Sequence, residues 1–361
     1  MKILAYYLPQ FHEVKENSLW WGSGFTEWNN VRKAKPLYKG HNQPRIPLNE
    51  NYYDLSDLDA LQWQSALLKK YNIYGLCYYH YWFKGRKILE KPAELLLRNS
   101  SIEQRFCFCW ANHSWKRTWN KSNELLIEQG YGNESEWKEH LEYLIKFFRD
   151  PRYIKINNKP LFVVYNMSSI SACAERFSFY DKFLKQNGFS GIELIQSINT
   201  HSELPVRLDI NNSSLALREP AFTHFSTESL YRKIERKIKS NKSFNLFKCP
   251  RIYSFQEISS KSIEFLNDSL GNLGEHKIYL GAFGGWDSTP RHGKHGYVIT
   301  YPTMSEFTDY IINLNKIIAS NDNVSDIVFY NAWNEWGEGC YLEPDIENGF
   351  SFLEVLSNFS K

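Results

Sequence analysis

Two glutamates three positions apart, Glu335 and Glu338, lie in the stretch from Val328 to Pro344. There an apolar, strand-like run opens into Trp333, Asn334, Trp336, Gly337 and Tyr341. Acid/base cleavage or formation of a glycosidic bond needs such a pair. One carboxylic acid protonates the leaving oxygen, and a second carboxylate acts as base or nucleophile. Two like charges partly dried by Trp333 and Trp336 raise the pKa of one partner, which suits an acid working near neutral pH. The competing reading, two exposed loop carboxylates capping the next helix, fits poorly with the density of Trp and Gly around them.

Further polar and aromatic clusters follow other apolar runs. Tyr6, Tyr7, Gln10 and His12 follow the first, Tyr79 and His80 the second, and Trp110 and Asn112 the third. Tyr165 closes the fourth, Glu219 the sixth, and Trp286, Asp287 and Arg291 come after the seventh. Aromatic faces stack on sugar rings, and amides, carboxylates and imidazoles bond to hydroxyls. These residues, with Trp28, His41, Trp333, Asn334 and Trp336, are the expected substrate contacts. Trp286 reads as a stacking platform, Asp287 as a grip on hydroxyls and Arg291 as a partner for an anionic group; a structural turn closed by an Asp–Arg pair is the alternative. Glu27 and Trp28 read as folding back over the site, with packing as the rival role for Trp28. His12, His41, His80 and His113 lack the paired helical spacing of a metal site, so no metal and no cofactor is expected. The chain has no Gly-x-Ser-x-Gly, no phosphate loop and no Gly-x-Gly-x-x-Gly after a strand. Nor does it carry an Asp-x-Asp of the kind that holds a metal-bound nucleotide sugar.

Eight short apolar runs must position these groups. They are Ile3–Leu8, Ile73–Tyr79, Arg105–Trp110, Leu161–Tyr165, Ile192–Gln196, Ser214–Arg218, Ile278–Phe283 and Asp326–Asn331. None alternates with polar residues as a strand with one wet face would, so they read as strands of a parallel sheet covered on both sides. Helical spacing predicts helices over Asp54 to Tyr71, Ser135 to Arg149, Thr303 to Ser320 and Phe350 to Phe359. Eight strand-then-helix units predict an α/β fold of the (β/α)8 TIM-barrel type, one domain over residues 1–361, with the reactive residues at the C-terminal ends of the strands. A doubly wound sheet is the alternative. Two loops exceed minimal barrel linkers: Pro9 to Tyr53, unusually aromatic, and Ala221 to Glu275, which holds the basic run Arg232–Lys239. Long loops of this kind are usually functional, and the basic run reads as a solvated helix face.

With 42% hydrophobic and 23% charged residues the chain has the composition of a globular protein, and a net charge of +3 is too small to point to nucleic acid. Aromatic content of 16%, including 12 Trp, suits a carbohydrate-binding cleft. The N-terminal apolar run is too short for a signal peptide, and no window approaches the ~18 apolar residues of a membrane span. Most of the six cysteines sit in apolar runs and read as reduced thiols, so a cytoplasmic location is expected. Peripheral membrane association stays open.

At these residues the chain resembles the WbsX-type proteins of bacterial surface-polysaccharide gene clusters, relatives of the glycoside hydrolase family 99 endo-α-mannosidases and endo-α-mannanases. The similarity is carried by Tyr6-Tyr-Leu-Pro-Gln-Phe-His12, Trp20-Trp-Gly22, Gly24-Phe-Thr-Glu-Trp28, Lys39-Gly-His-Asn-Gln-Pro44, Cys109-Trp-Ala-Asn112, Trp286-Asp287 with Thr289-Pro-Arg291, and Asn331-Ala-Trp-Asn-Glu-Trp-Gly-Glu-Gly339. The resemblance implies a metal-free barrel. In it Glu335 acts as the base that helps the sugar's own 2-hydroxyl displace the leaving group, and Glu338 is the general acid/base on the glycosidic oxygen. It further implies an α-linked, mannose-like glycan, soluble, lipid-linked or nucleotide-activated, handled by retaining hydrolysis, with glycosyl transfer at the same site or glycan binding without catalysis as alternatives. Two departures bear on the substrate: Gly337 stands where the mannosidases usually have His, and His113 where WbsX-type chains commonly have an acid.

Overall fold

The computed structural model describes residues 1–117, 124–200, 203, 205–206, 208, 214–227, 250–273 and 276–360. The strands are β1 (Lys2–Tyr7), β2 (Gly75–Phe83), β3 (Phe106–Trp110), β4 (Lys159–Val164), β5 (Glu193–Ile198), β6 (Ser214–Leu217), β7 in two pieces (Ile278–Tyr279 and Gly281–Phe283) and β8 (Ile327–Asn331). Every neighbour pair is parallel. The order runs β1 to β6 in sequence, β6 pairs with the first piece of β7, the second piece pairs with β8, and β8 returns to β1. The ring is therefore closed: a (β/α)8 barrel, not a doubly wound sheet. Closure leaves no edge strand, and Lys2 pairs with Ile327 as Ala5 does with Tyr330.

The strand residues are buried almost without exception, because helices cover the outside and side chains fill the inside. Cys77, Cys107 and Cys109 are buried there as free thiols, as are Cys173 and Cys340. The main covering helices are α1 (Leu58–Lys70), α2 (Lys91–Arg98), α3 (Glu134–Phe148), α4 (Cys173–Gln186), α5 (Phe255–Ser269), α6 (Met304–Ser320) and α7 (Ser351–Phe359). Asp57 caps α1 through the Asp59 amide, and full capping boxes start α3 (Asn133 with Glu136) and α6 (Thr303 with Glu306). Each begins within one to four residues of its expected start.

Strand β2 differs from expectation by running on to Phe83. A hairpin with Arg86–Ile88 pairs antiparallel with Tyr81–Phe83 and carries the strand past the ring. His80 to Trp82 are therefore strand residues, not loop residues. The Pro9–Tyr53 segment contains two short helices (Lys15–Trp21 and Trp28–Lys33) and is tied to the far end of the chain by Leu48 N–H to Pro344 O (2.9 Å) and Ile346 N–H to Ile46 O (3.1 Å). The Arg232–Lys239 run and Cys249 lie outside the described residues. Among those described, no helix is long and apolar enough to cross a membrane.

Candidate functional site

One cleft of ≈ 580 Å³ opens at the C-terminal rim of the barrel, and all eight strands contribute to it. Gln10 enters after β1, Tyr79 and Tyr81 from β2, His113 and Trp115 after β3, and Tyr165 after β4. Asn199 comes after β5, Arg218 after β6, Trp286, Arg291 and Tyr297 after β7, and Glu335 with Glu338 after β8. Parallel strands of one ring all finish on the same face, so residues 300 positions apart in sequence share one cavity.

The carboxylates are placed by a compact device. Asn334–Glu335 pairs antiparallel with Cys340–Tyr341, and a single helical turn, Trp336–Glu338, joins the two. Gly339 closes the turn at φ +57°, where a side chain would be strained and a Cβ would meet the Asp287 Cβ at 2.7 Å. The Asn334 side chain clamps the turn to β1, accepting from Leu8 N–H (2.7 Å) and donating to Leu8 O (3.0 Å). Behind it Trp336 stacks on Tyr341 at 3.7 Å and donates to Glu343 (2.7 Å), which also accepts from Tyr53 OH (2.8 Å) and Gln64 (2.7 Å).

Arg291 organises the acidic groups. Its Nε donates to Glu27 Oε1 (2.7 Å), one terminal nitrogen to Glu335 Oε2 (3.1 Å) and the other to Glu338 Oε1. A planar fork suits this task, since its N–H groups diverge in one plane toward separate acceptors. Burial, offset in part by Arg291 and reinforced by Glu338 and Glu27, pushes Glu335 up to about 7. The Glu335 side chain is 8% exposed and that of Glu338 22%, so the two carboxylates face different environments. Divergent environments are how a carboxylate pair takes separate acid and base roles.

A third layer fixes the loops. Asp287 accepts from His41 Nε2 (2.7 Å), Gln43 (2.6 Å), the Thr289 hydroxyl (2.6 Å) and the Thr289 amide (2.9 Å). Burial would raise this carboxyl, but the donors from His41, Thr289 and Gln43 outweigh it and hold it below its ordinary value.

Seven of the sequence-selected residues line the cleft: Gln10, Tyr79, Tyr165, Trp286, Arg291, Glu335 and Glu338. The others sit elsewhere. Tyr6 is buried beneath, stacked on Tyr79 at 5.7 Å, whereas Tyr7 points the other way and donates to Gln64. Trp28 is buried with its Nε1 on Tyr53 O (2.8 Å), and His12 is buried in the same loop. His80 pairs with His140 (2.9 Å), and Trp110 packs under the Arg176 guanidinium at 4.6 Å. Asn112 bridges to the Asn166 backbone (2.7 and 2.8 Å), and Glu219 accepts from Thr223 and Ser262. His41 and Asp287 hold each other, while Trp333, Asn334 and Trp336 form the support behind the glutamates. The Asp–Arg pair offered as the alternative does not form: Asp287 bonds to neutral donors and His41, and Arg291 to the three glutamates. Sequence reasoning did not select Tyr81, Trp115, Tyr297 or Arg218. The last was visible as an arginine at the end of an apolar run, the position where barrel sites collect their polar groups.

The profile of the family described as Glycosyltransferase WbsX matches residues 3–356. Two WxcX proteins of Xanthomonas campestris pv. campestris are each 30% identical over 357 residues, 98% of this chain but 48% of theirs, so the chain spans about half the length of these relatives. Among solved structures, the GH99 endo-alpha-mannosidase of Bacteroides thetaiotaomicron superposes with a TM-score of 0.59 at 13% identity, covering 99% of this chain and 95% of that one. A "glycoside hydrolase-like protein" superposes equally well, at 0.59 and 13% over 100% and 94%. At these identities the likeness establishes the barrel and no more. With the family profile matched almost end to end, the chain belongs to the WbsX glycosyltransferase family.

Proposed function

We propose that this chain is a catalytic barrel that acts on α-linked hexosides of mannose type during surface-polysaccharide synthesis, with Glu335 and Glu338 as the reacting carboxylates and retention of anomeric configuration. The observation that carries the reading is the pair itself: two glutamates in unlike environments, held by one guanidinium at the rim of an aromatic cleft. In the first step Glu335 takes the proton of the sugar 2-hydroxyl while O2 attacks C1. Glu338 gives its proton to the departing glycosidic oxygen, leaving a 1,2-anhydro sugar and a Glu338 carboxylate. In the second step Glu338 removes a proton from the incoming hydroxyl as it attacks C1, and Glu335 returns its proton to O2. A base whose pKa is about 7 is half ionised at neutral pH and strong enough to assist an alcohol. The acceptor decides the outcome: water gives hydrolysis, a sugar hydroxyl gives transfer. The family description favours transfer as the second reading.

The test is turnover of α-mannosyl oligosaccharides, free and lipid-linked, with and without nucleotide sugars. Glu335→Gln and Glu338→Gln are each expected to lower turnover roughly 10²- to 10⁴-fold while glycan binding persists. Near-normal turnover in either variant would sink the assignment, strict dependence on a nucleotide sugar would establish transfer, and binding without turnover would leave a glycan-binding barrel.

A further inference from the structure

Among its described residues the cleft contains two arginines with opposite surroundings. Arg291 is saturated by three glutamates. Arg218 has no carboxylate within ion-pairing distance among the described residues. Among the described residues its side-chain hydrogen bond is from one terminal nitrogen to the Tyr79 hydroxyl (2.7 Å), and its buried Nε has no partner. Three tyrosine faces surround the charge, Tyr165 at 4.4 Å, Tyr6 at 5.5 Å and Tyr79 at 5.8 Å. Arginine keeps its charge at any working pH, and only one of its five N–H groups is engaged by Tyr79. Ring faces attract a cation but accept none of its in-plane hydrogen bonds, so they replace only part of the lost hydration.

The His113 ring lies 5.4 Å from that of Tyr165, and burial, then the charge of Arg218, hold its imidazole below the ordinary value. Among the described residues the cleft is thus polarised, with carboxylates on the β8 side and a cation without a salt-bridge partner after β6.

We propose that Arg218 is the anion-recognition group of this cleft, and that the glycan handled here carries a carboxylate or phosphate on the sugar unit that reaches it. The inference rests on the glycan-cleft reading above and names the chemical class of its substrate. The guanidinium fork matches the two oxygens of either anion, whereas a neutral hexose would leave the cation unpaired on closing the cleft.

The experiment uses the Glu338→Gln protein, which binds without turning over, and oligosaccharides in matched triplets: a neutral α-hexoside, the corresponding uronic acid and the corresponding 6-phosphate. One charged member is expected to bind about 10- to 100-fold more tightly than the neutral one, and which one it is separates carboxylate from phosphate. Adding Arg218→Gln should abolish that advantage, and Arg218→Lys should restore part of it. Equal binding of all three members overturns the inference and leaves the glycan cleft standing. So does an Arg218→Gln protein that loses neutral and charged ligands alike, because the residue then only props the tyrosines. Binding of no member overturns the inference and the glycan reading together.

Discussion

Gly337 and Glu27 occupy one space. A Cβ built on Gly337 collides with Glu27 Oε1 and comes within 2.9 Å of Glu27 Cδ and 3.0 Å of Arg291 Nε. The bare backbone at this position is what allows Glu27, with no exposed side-chain surface, to reach Arg291 from the β1–α1 loop. A histidine here, which the resemblance associates with mannosidases, is incompatible with this carboxylate in this place.

Gly337→Ala should therefore destabilise the protein by about 1–3 kcal/mol through overpacking and lower turnover by disturbing Arg291. In a Glu27→Ala background the same substitution should cost far less, since the colliding oxygen is gone. Denaturant unfolding of the two single variants and the double variant checks this; additive effects would show that the two positions do not interact.

The rate profile should follow Glu335. In the proposed role of base it must be ionised, so kcat/KM is expected to rise with pH along a limb centred near 7. Arg291 favours the ionised form, so Arg291→Met should move that limb to higher pH by roughly one unit or more. A limb left in place by the substitution would disconnect Arg291 from the titrating group.

Stability carries the same signature with a definite sign. The folded-state pKa of Glu335 is raised above its ordinary 4.5, so the folded protein binds the extra proton between about pH 4.5 and 7, and stability falls as pH rises through that window. The difference corresponds to about 3 kcal/mol as an upper bound. Glu335→Gln should thus melt higher than wild type above pH 7 and match it near pH 4. Melting curves across this range decide it, and a variant that is less stable at pH 8 would contradict it.

Asp287→Ala should act through the loops. It leaves His41, Gln43 and two Thr289 donors without their acceptor, a loss of about 2–4 kcal/mol for buried groups. Limited proteolysis between residues 35 and 47 should accelerate along with the fall in melting temperature. A fall in melting temperature with unchanged cleavage there would show that this acceptor does not anchor the loop.

The barrel was legible because its eight strands are uninterrupted apolar runs of nearly the right length and order. That same property hid which side of each strand faces the site. Tyr6 and Tyr7 are both buried, one under the cleft and one against α1, because a strand covered on both faces has no polar alternation to betray its orientation. The carboxylate pair stood out as two glutamates three residues apart. Arg291 reads as the partner of an anionic group, but its pairing with these glutamates was not legible, since it meets Glu335 across 44 positions and Glu27 across 264. A local motif brings the two carboxylates into view, whereas the pairing with their counter-ion from another loop is known only when the ring is closed.

Asn334 bonds to the backbone of Leu8 across 326 positions, and β8 completes the ring against β1. The turn that carries the two glutamates is therefore supported by the first strand of the barrel and carried by the eighth. A chain released from the ribosome before Asp326 would possess seven strands, an open seam and neither glutamate. The cleft and its pair of glutamates therefore come into being together, when the seam between β8 and β1 shuts.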